Sequence, residues 1–186
     1  FFTTIEFGKN PGALEEWRVN LGSAVTGNMV IRNEGEAIIG TRDGIVRGVR
    51  LTDGETLWSM NAGSMWGGGV IDSGKLYFGT ANGDFYCVDA SSGSLRWKTQ
   101  IDPSGFVAPP LVTGGPAGKR VVAVSTSGKA YCLDAFSGVR KWEYQAKGAI
   151  VNSAVAEGNA VFFGSWDTNL YAVDLASGSL LWSVQL

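Results

Sequence analysis

Four tryptophans recur at a nearly constant spacing, and this repeat limits the fold more than any other feature of the sequence. Trp58, Trp97, Trp142 and Trp182 are separated by 39, 45 and 40 residues. Each tryptophan follows a glycine by four positions, namely Gly54, Gly93, Gly138 and Gly178. An apolar run that ends in a small residue, such as 76–79 or 161–164, precedes each glycine at a similar distance. The chain therefore contains four copies of a unit of about 40 residues.

Each unit is predicted to form four short strands, here called A to D. In the second unit, strands A to D are expected near residues 68–71, 75–80, 85–89 and 94–99. The three connecting segments all contain glycine, which supplies the positive φ of tight turns. No segment shows the 3.6-residue period of a helical repeat. The sequence thus predicts an all-β fold, a β-propeller of four-stranded antiparallel blades, with complete blades at residues 22–60, 61–100, 101–145 and 146–186.

The first 21 residues are interpreted as the end of a preceding blade. The segment 12–17 ends in Trp17 and resembles the end of a repeat unit with one extra residue. Residues 1–21 would then supply strands C and D, while neither end of the sequence supplies strands A and B of that blade. We therefore expect the four complete blades to be part of a seven- or eight-bladed ring. The rest of the same polypeptide or a partner protein would complete it. The alternative is an unusual ring that closes on itself, such as a five-bladed ring with one two-stranded blade.

The repeat resembles that of the pyrroloquinoline-quinone (PQQ) type β-propellers. The resemblance covers about residues 23–186 and is carried by an apolar run ending at Gly164, by Tyr171-Ala172-Val173-Asp174 and by Gly178 before Trp182. The family includes quinone-dependent dehydrogenases. It also includes cofactor-free propellers, among them sensors, scaffolds and a lipoprotein that helps to assemble bacterial outer-membrane proteins. The resemblance implies an extracytoplasmic location. For an enzyme, it implies an adjacent-cysteine disulfide, a calcium site of Glu, Asn and Asp, and a catalytic Asp.

The composition argues against much of catalytic chemistry. The chain has no histidine, which excludes imidazole bases and histidine metal ligands, and its two cysteines are not adjacent. With 15 basic and 17 acidic residues, the net charge of −2 gives no reason to expect a nucleic-acid partner. No apolar run is long enough to form a transmembrane segment. We therefore predict no catalytic, cofactor-binding or metal-binding residues. PQQ and calcium are expected only if the chain is a fragment of a quinone-dependent dehydrogenase, which is the alternative interpretation.

Most repeated positions are assigned structural roles. The Trp column (Trp17, Trp58, Trp97, Trp142 and Trp182) is predicted to pack between neighbouring blades. The Asp column (Asp89, Asp134 and Asp174) precedes the C-to-D turn, where a carboxylate accepts backbone N–H groups. Cys87 and Cys132 share a column with Gly48 and Ala172, so this position needs a small residue. We expect both cysteines to be buried free thiols.

The first unit departs from the pattern, because Arg47 replaces the tyrosine and Arg50 replaces the aspartate of the other units. Two interpretations remain open at this point. One is a degenerate, solvated blade, and the other is a basic contact patch.

One face of the propeller is the predicted interaction surface. In a propeller, the B-to-C turns and the D-to-A linkers emerge on the same face, around the channel. Trp66 and Trp166 lie on this face and outside the Trp column, and exposed loop aromatics are good binding candidates. The candidate residues are Arg42, Asp43, Met65, Trp66, Asn82, Asp84, Phe106, Trp166 and Asp167. The sequence thus favours a non-catalytic propeller that acts as a protein-interaction scaffold or sensor module.

Overall fold

The computed structural model describes residues 18–115 and 118–186, which form four antiparallel sheets of four strands each. The first sheet, blade 1, contains β1 (Val25–Asn33), β2 (Glu36–Thr41), β3 (Ile45–Arg50) and β4 (Thr56–Asn61). Blade 2 contains β5 (Gly69–Asp72), β6 (Lys75–Gly79), β7 (Asp84–Asp89) and β8 (Leu95–Gln100). Blade 3 contains β9 (Leu111–Gly115), β10 (Gly118–Val124), β11 (Lys129–Asp134) and β12 (Arg140–Gln145). Blade 4 contains β13 (Val155–Glu157), β14 (Ala160–Gly164), β15 (Asn169–Asp174) and β16 (Leu180–Gln185).

The arrangement of the sheets is that of a β-propeller, as predicted. Within each sheet the strands pair in sequence order, so every blade is a meander. The first strands of successive blades, β1, β5, β9 and β13, contact one another and therefore lie innermost. Within the described residues no helix is long and apolar enough to cross a membrane. The preceding blade predicted for residues 1–21, including Trp17, lies outside the described residues except for its last four positions.

Tryptophans of the Trp column pack each blade against the next. A Cβ atom placed on Gly138 would lie 2.6 Å from the Trp97 ring, and one placed on Gly178 would lie 2.6 Å from the Trp142 ring. The indole Nε1 of Trp142 donates to the Leu175 carbonyl at 2.8 Å, so the ring is held by the turn that it covers. Trp182 is 43% exposed, because no following blade lies within residues 18–115 and 118–186 to cover it.

The cysteines lie beneath this column, in the middle of the strand that precedes each tryptophan strand. Cys87 pairs across the sheet with Trp97, and Cys132 pairs with Trp142. Gly48 and Ala172 face Trp58 and Trp182 in the same register, so a small side chain leaves room for the indole ring. Both cysteines are buried free thiols, and burial raises the pKa of each to about 11. They are packing residues rather than reactive groups.

Replacing Cys87 or Cys132 by alanine is expected to preserve the fold. The cost should stay within about 2 kcal/mol, because the equivalent positions already carry Gly48 and Ala172 and only one sulfur atom is removed. Urea denaturation of each variant measures this cost. A much larger loss, or a mass shift on reduction that reveals a disulfide, would contradict the packing role.

The Asp column closes the C-to-D turns. Asp134 Oδ1 accepts the backbone N–H groups of Phe136 and Ser137 at 3.1 and 3.0 Å. These bonds lower the pKa of Asp134, with the Ser137 N–H as the largest cause. Asp89 and Asp174 accept backbone N–H groups in the same way. The carboxylates of this column are therefore occupied by their own turns.

Blade 1 forms the same four-stranded sheet although Arg47 occupies the tyrosine position and Arg50 the aspartate position of the repeat. Arg50 forms ion pairs with Asp53, at 2.9 Å, and with Glu55, so its charge is balanced within its own turn. Arg47 donates to the hydroxyl of Thr41 at 2.9 Å. These local partners favour a solvated, degenerate blade over a basic contact patch.

Candidate interaction face

Backbone hydrogen bonds tie the D-to-A linkers to the B-to-C turns on one face of the propeller, here called the linker face. The linkers are residues 62–68, 101–110 and 146–154, and the turns are residues 42–44, 80–83, 125–128 and 165–168. The Trp166 N–H donates to the Ala149 carbonyl at 2.9 Å, and the Ile150 N–H donates to the Ser125 carbonyl at 3.2 Å. Phe106 N–H bonds to Thr80 in the same way, so each of these linkers is anchored to the preceding blade.

Met65 and Phe106 were predicted to belong to the interaction surface, and the structure corrects this prediction because both are buried. Both side chains are buried, with exposed fractions of 0% and 1%, and Ile150 is fully buried at the equivalent point of the next linker. They fill sockets left by glycines at the ends of β2 and β6. A Cβ on Gly40 would lie 2.9 Å from Met65, and one on Gly79 would lie 2.5 Å from Phe106. These two side chains fill space between the linkers and the preceding strands, so they cannot contact a partner.

Three of the polar candidates in the first two turns bond to nearby side chains. Asp43 accepts the Thr41 hydroxyl at 2.6 Å. Asp84 is buried, forms an ion pair with Lys98 at 2.9 Å and accepts the Asn82 amide at 3.3 Å. Arg42 is exposed at the edge of the linker face. On this part of the face, Arg42 and Asp43 are therefore the charged candidates that a partner can reach.

Trp166 is the most exposed tryptophan of the described chain, and its turn is rigidly held. Its side chain is 73% exposed. The neighbouring Asp167 accepts the Lys147 backbone N–H at 2.9 Å and the Tyr171 hydroxyl at 2.6 Å. Burial opposes ionisation of Asp167, but these bonds and those from Asn169 outweigh it and lower its pKa. The sequence predicted both residues on this face, and the structure gives them different tasks. Asp167 fixes the turn, and Trp166 projects from it.

Trp66 lies on the inner part of the same face, between two grooves. Its side chain is 50% exposed, and its indole Nε1 donates to the Ser64 hydroxyl at 2.7 Å. On one side, Trp66 and Arg42 line an open groove of about 460 Å³. On the other side, it lines a groove of about 310 Å³ that is shared with the linkers of blades 3 and 4. Those linker residues were not predicted, although they directly follow the buried Phe106 and Ile150 as Trp66 follows Met65.

Asp102 is a buried carboxylate that was not predicted from the sequence. It accepts hydrogen bonds from the hydroxyls of Ser125 at 2.6 Å, Tyr131 at 2.9 Å and Ser127, and from the Ser104 N–H at 2.9 Å. Burial opposes ionisation, but the four donors outweigh it and lower the pKa of Asp102 to about 2. The carboxylate ties the linker to the turn of blade 3. The detectable signal was that Asp102 is the only acidic residue in the three linkers.

Replacing Asp102 by asparagine is expected to destabilise the chain by about 1.5–3 kcal/mol, the usual range for buried hydrogen bonds to a charged group. The pKa of Asp102 is lower in the folded state than the ordinary value of about 3.9. Its stabilisation is therefore complete above about pH 4 and is lost as the pH falls towards 2. Urea denaturation of both proteins should show a gap in stability at pH 7 that narrows below about pH 4 and closes as the pH reaches about 2. A gap independent of pH would contradict this assignment, and Asp43→Asn is the exposed control.

The described residues do not assemble the donor set that a quinone cofactor with calcium requires. Within residues 18–115 and 118–186, no group of three or more His, Cys, Asp or Glu side chains could hold a metal ion. Cys87 and Cys132 lie on different blades and are unpaired, so they cannot form the disulfide of adjacent cysteines. The acidic side chains nearest the linkers, Asp102 and Asp167, are engaged by hydroxyl and backbone donors. We therefore derive no catalytic step through this cofactor.

Within residues 18–115 and 118–186, sixteen strands form four radial meanders. Together with the repeated Gly-x-x-x-Trp signature, they define a β-propeller of PQQ-type repeats. A family model described as outer membrane protein assembly factor BamB matches residues 42–186. The chain belongs to this family.

Individual relatives represent both branches of the PQQ-repeat proteins. BamB of Yersinia pestis is 23% identical over 176 residues, which are 88% of this chain and 45% of that protein. The dehydrogenase subunit of the quinone alcohol dehydrogenase of Acetobacter aceti is 40% identical over 72 residues, or 38% of this chain and 9% of that protein. The crystal structure of BamB from Moraxella catarrhalis superposes with a TM-score of 0.76 at 23% identity, and covers 91% of this chain and 56% of that one. The chain thus spans about half of the length of these two BamB proteins.

Proposed function

We propose that this chain is a non-catalytic propeller module that binds a protein partner through its linker face. The observation that carries the proposal is Trp166, a large aromatic side chain that is 73% exposed on a turn fixed by Asp167 and Gly148. Aromatic side chains held in place before binding are the residues that most often dominate interface energy. Similarity to BamB supports a partner that takes part in outer membrane protein assembly, and with it an extracytoplasmic location.

A second contact is proposed on the outer strand of the same blade, blade 4. All six residues of β16 are exposed, including Leu181, Trp182 and Val184. In blades 2 and 3, the equivalent tryptophans are covered by the turn of the following blade. We propose that further blades, from the same polypeptide or from a partner chain, cover β16 in the assembled protein.

The alternative function is that of a fragment of a quinone-dependent dehydrogenase. The observation that favours it is the 40% identity to the Acetobacter aceti subunit over 72 residues. Those residues are 38% of this chain and 9% of that subunit. Within residues 18–115 and 118–186, the side chains do not assemble the donor set that PQQ and calcium require, and this favours the non-catalytic module.

Photo-crosslinking tests the interaction proposal. A photoreactive amino acid is placed at position 166, and a matched control replaces Phe136, which is 86% exposed on the C-to-D turn of the opposite face. In cells that express the protein, position 166 should yield an adduct with a component of the outer-membrane assembly machinery, and position 136 should not. Trp166→Ala in the unlabelled protein should weaken the same complex about 30-fold, and Phe136→Ala should leave it unchanged. Equal adducts from both positions, or none from position 166, would refute the proposal.

A further inference from the structure

The inner groove of the linker face is built by all four blades and carries no charged side chain. Its volume is about 310 Å³, within the range of small-ligand sites. It is lined by Asn28, Trp66, Gly67, Val107, Ala108, Pro109, Val151, Asn152 and Ser153. A Cβ placed on Gly67 would lie 2.5 Å from the Ala108 backbone, so neighbouring linkers touch main chain to main chain. The close contact of these two linkers fixes the spacing of the side chains that line the groove.

The absence of charge among these nine lining residues restricts the ligand. A charged group that entered the groove would lose hydration with no ionic partner among the nine. The lining therefore offers no ionic partner to an anionic or a cationic ligand. The groove thus favours a neutral ligand.

Trp66 gives the groove a flat apolar surface. The indole Nε1 is already bonded to the Ser64 hydroxyl at 2.7 Å, which fixes the ring and occupies its only donor. What the half-exposed ring offers to a ligand is its π face and its apolar edge. A ligand with a flat apolar side of its own, such as the C–H face of a sugar ring, fits this surface.

The remaining polar groups are separate amides and a hydroxyl. Asn28, Asn152 and Ser153 are exposed, and each side chain both donates and accepts hydrogen bonds. An extended peptide would instead need a row of backbone donors and acceptors along the wall. Pro109 has no N–H group, so this position of the wall cannot donate to a peptide. Scattered groups of both polarities match the hydroxyls of a saccharide better than the main chain of a peptide.

We propose that this groove binds a neutral saccharide, with one sugar ring stacked on Trp66 and its hydroxyl groups bonded to Asn28, Asn152 and Ser153. This site goes beyond the proposed protein-binding function and does not depend on Trp166. Loss of one would leave the other intact.

The test uses the purified chain with maltotriose and with the N-acetylglucosamine trimer as neutral saccharides, and with tetraalanine amide, acetylated at its N-terminus, as a neutral peptide. Isothermal titration calorimetry should show saturable binding of at least one saccharide and no comparable binding of the peptide. Trp66→Ala should weaken saccharide binding at least about tenfold, and Trp66→Phe, which keeps an aromatic face, should restore most of it. Asn152→Ala should weaken binding about threefold to tenfold.

Trp166→Ala is the matched control, since it removes an equally large exposed indole outside the groove, and it should change saccharide affinity less than twofold. Circular dichroism confirms that each variant is folded. No binding of either saccharide would overturn the proposal, as would binding that is unaffected by Trp66→Ala or peptide binding that equals saccharide binding.

Discussion

Replacing Trp142 by alanine is expected to destabilise the chain by about 3–5 kcal/mol, the usual cost of removing a large buried aromatic side chain. The Trp142 ring is 7% exposed, lies against Gly178 of the following blade and donates to the Leu175 carbonyl. Its removal would leave a cavity between blades 3 and 4 and an unpaired carbonyl. Urea denaturation followed by far-UV circular dichroism measures the free energy of unfolding.

Two exposed tryptophans provide controls for this measurement. In the isolated chain, Trp182→Ala and Trp166→Ala should each cost less than about 1.5 kcal/mol, because both rings are substantially exposed. A similar loss for Trp142, Trp166 and Trp182 would show that the tryptophan on the last strand is covered, and would remove Trp166 from the binding residues.

Replacing Gly138 by alanine is expected to cost about 3 kcal/mol or more. Gly138 has a φ of 72°, which L side chains rarely adopt, and its added Cβ would lie 2.6 Å from the Trp97 ring. Trp97 cannot move away without breaking its own hydrogen bond to the Ala135 carbonyl, which is 3.2 Å long. The substitution therefore combines backbone strain with a steric clash at the blade interface.

Gly74→Ala separates these two effects. Gly74 has a φ of 73°, but a Cβ at this position meets no atom within 4 Å. This variant should show the backbone strain alone, about 1–2 kcal/mol, in the same denaturation experiment. Equal costs at Gly74 and Gly138 would contradict the packing of Trp97 on the following turn.

Much of the fold could be predicted because the same physical requirement recurs in every unit. In the second unit, strands A to D were predicted within one residue of the observed β5 to β8. A glycine at positive φ and a tryptophan four residues later recur in all four units, so the turn chemistry is apparent from their alignment. Trp66 and Trp166 stood out because they fall outside that column.

The errors concern contacts between units rather than within them. Met65 and Phe106 were predicted to be exposed because they lie in linkers, but their burial depends on Gly40 and Gly79, which precede them by 25 and 27 residues. The role of Asp102 depends on three hydroxyls that lie 23 to 29 residues further along the chain. Such pairings follow from the angle between neighbouring blades, which no spacing within one unit encodes.

The most direct test of the proposal that this propeller is a non-catalytic module is a dye-linked dehydrogenase assay. The full-length protein is incubated with PQQ and calcium and then assayed with primary alcohols and an artificial electron acceptor. The described residues assemble no metal-binding cluster and no adjacent-cysteine disulfide, so we expect no dye reduction above that of cofactor without protein. Sustained, alcohol-dependent turnover that requires both PQQ and calcium would contradict the account.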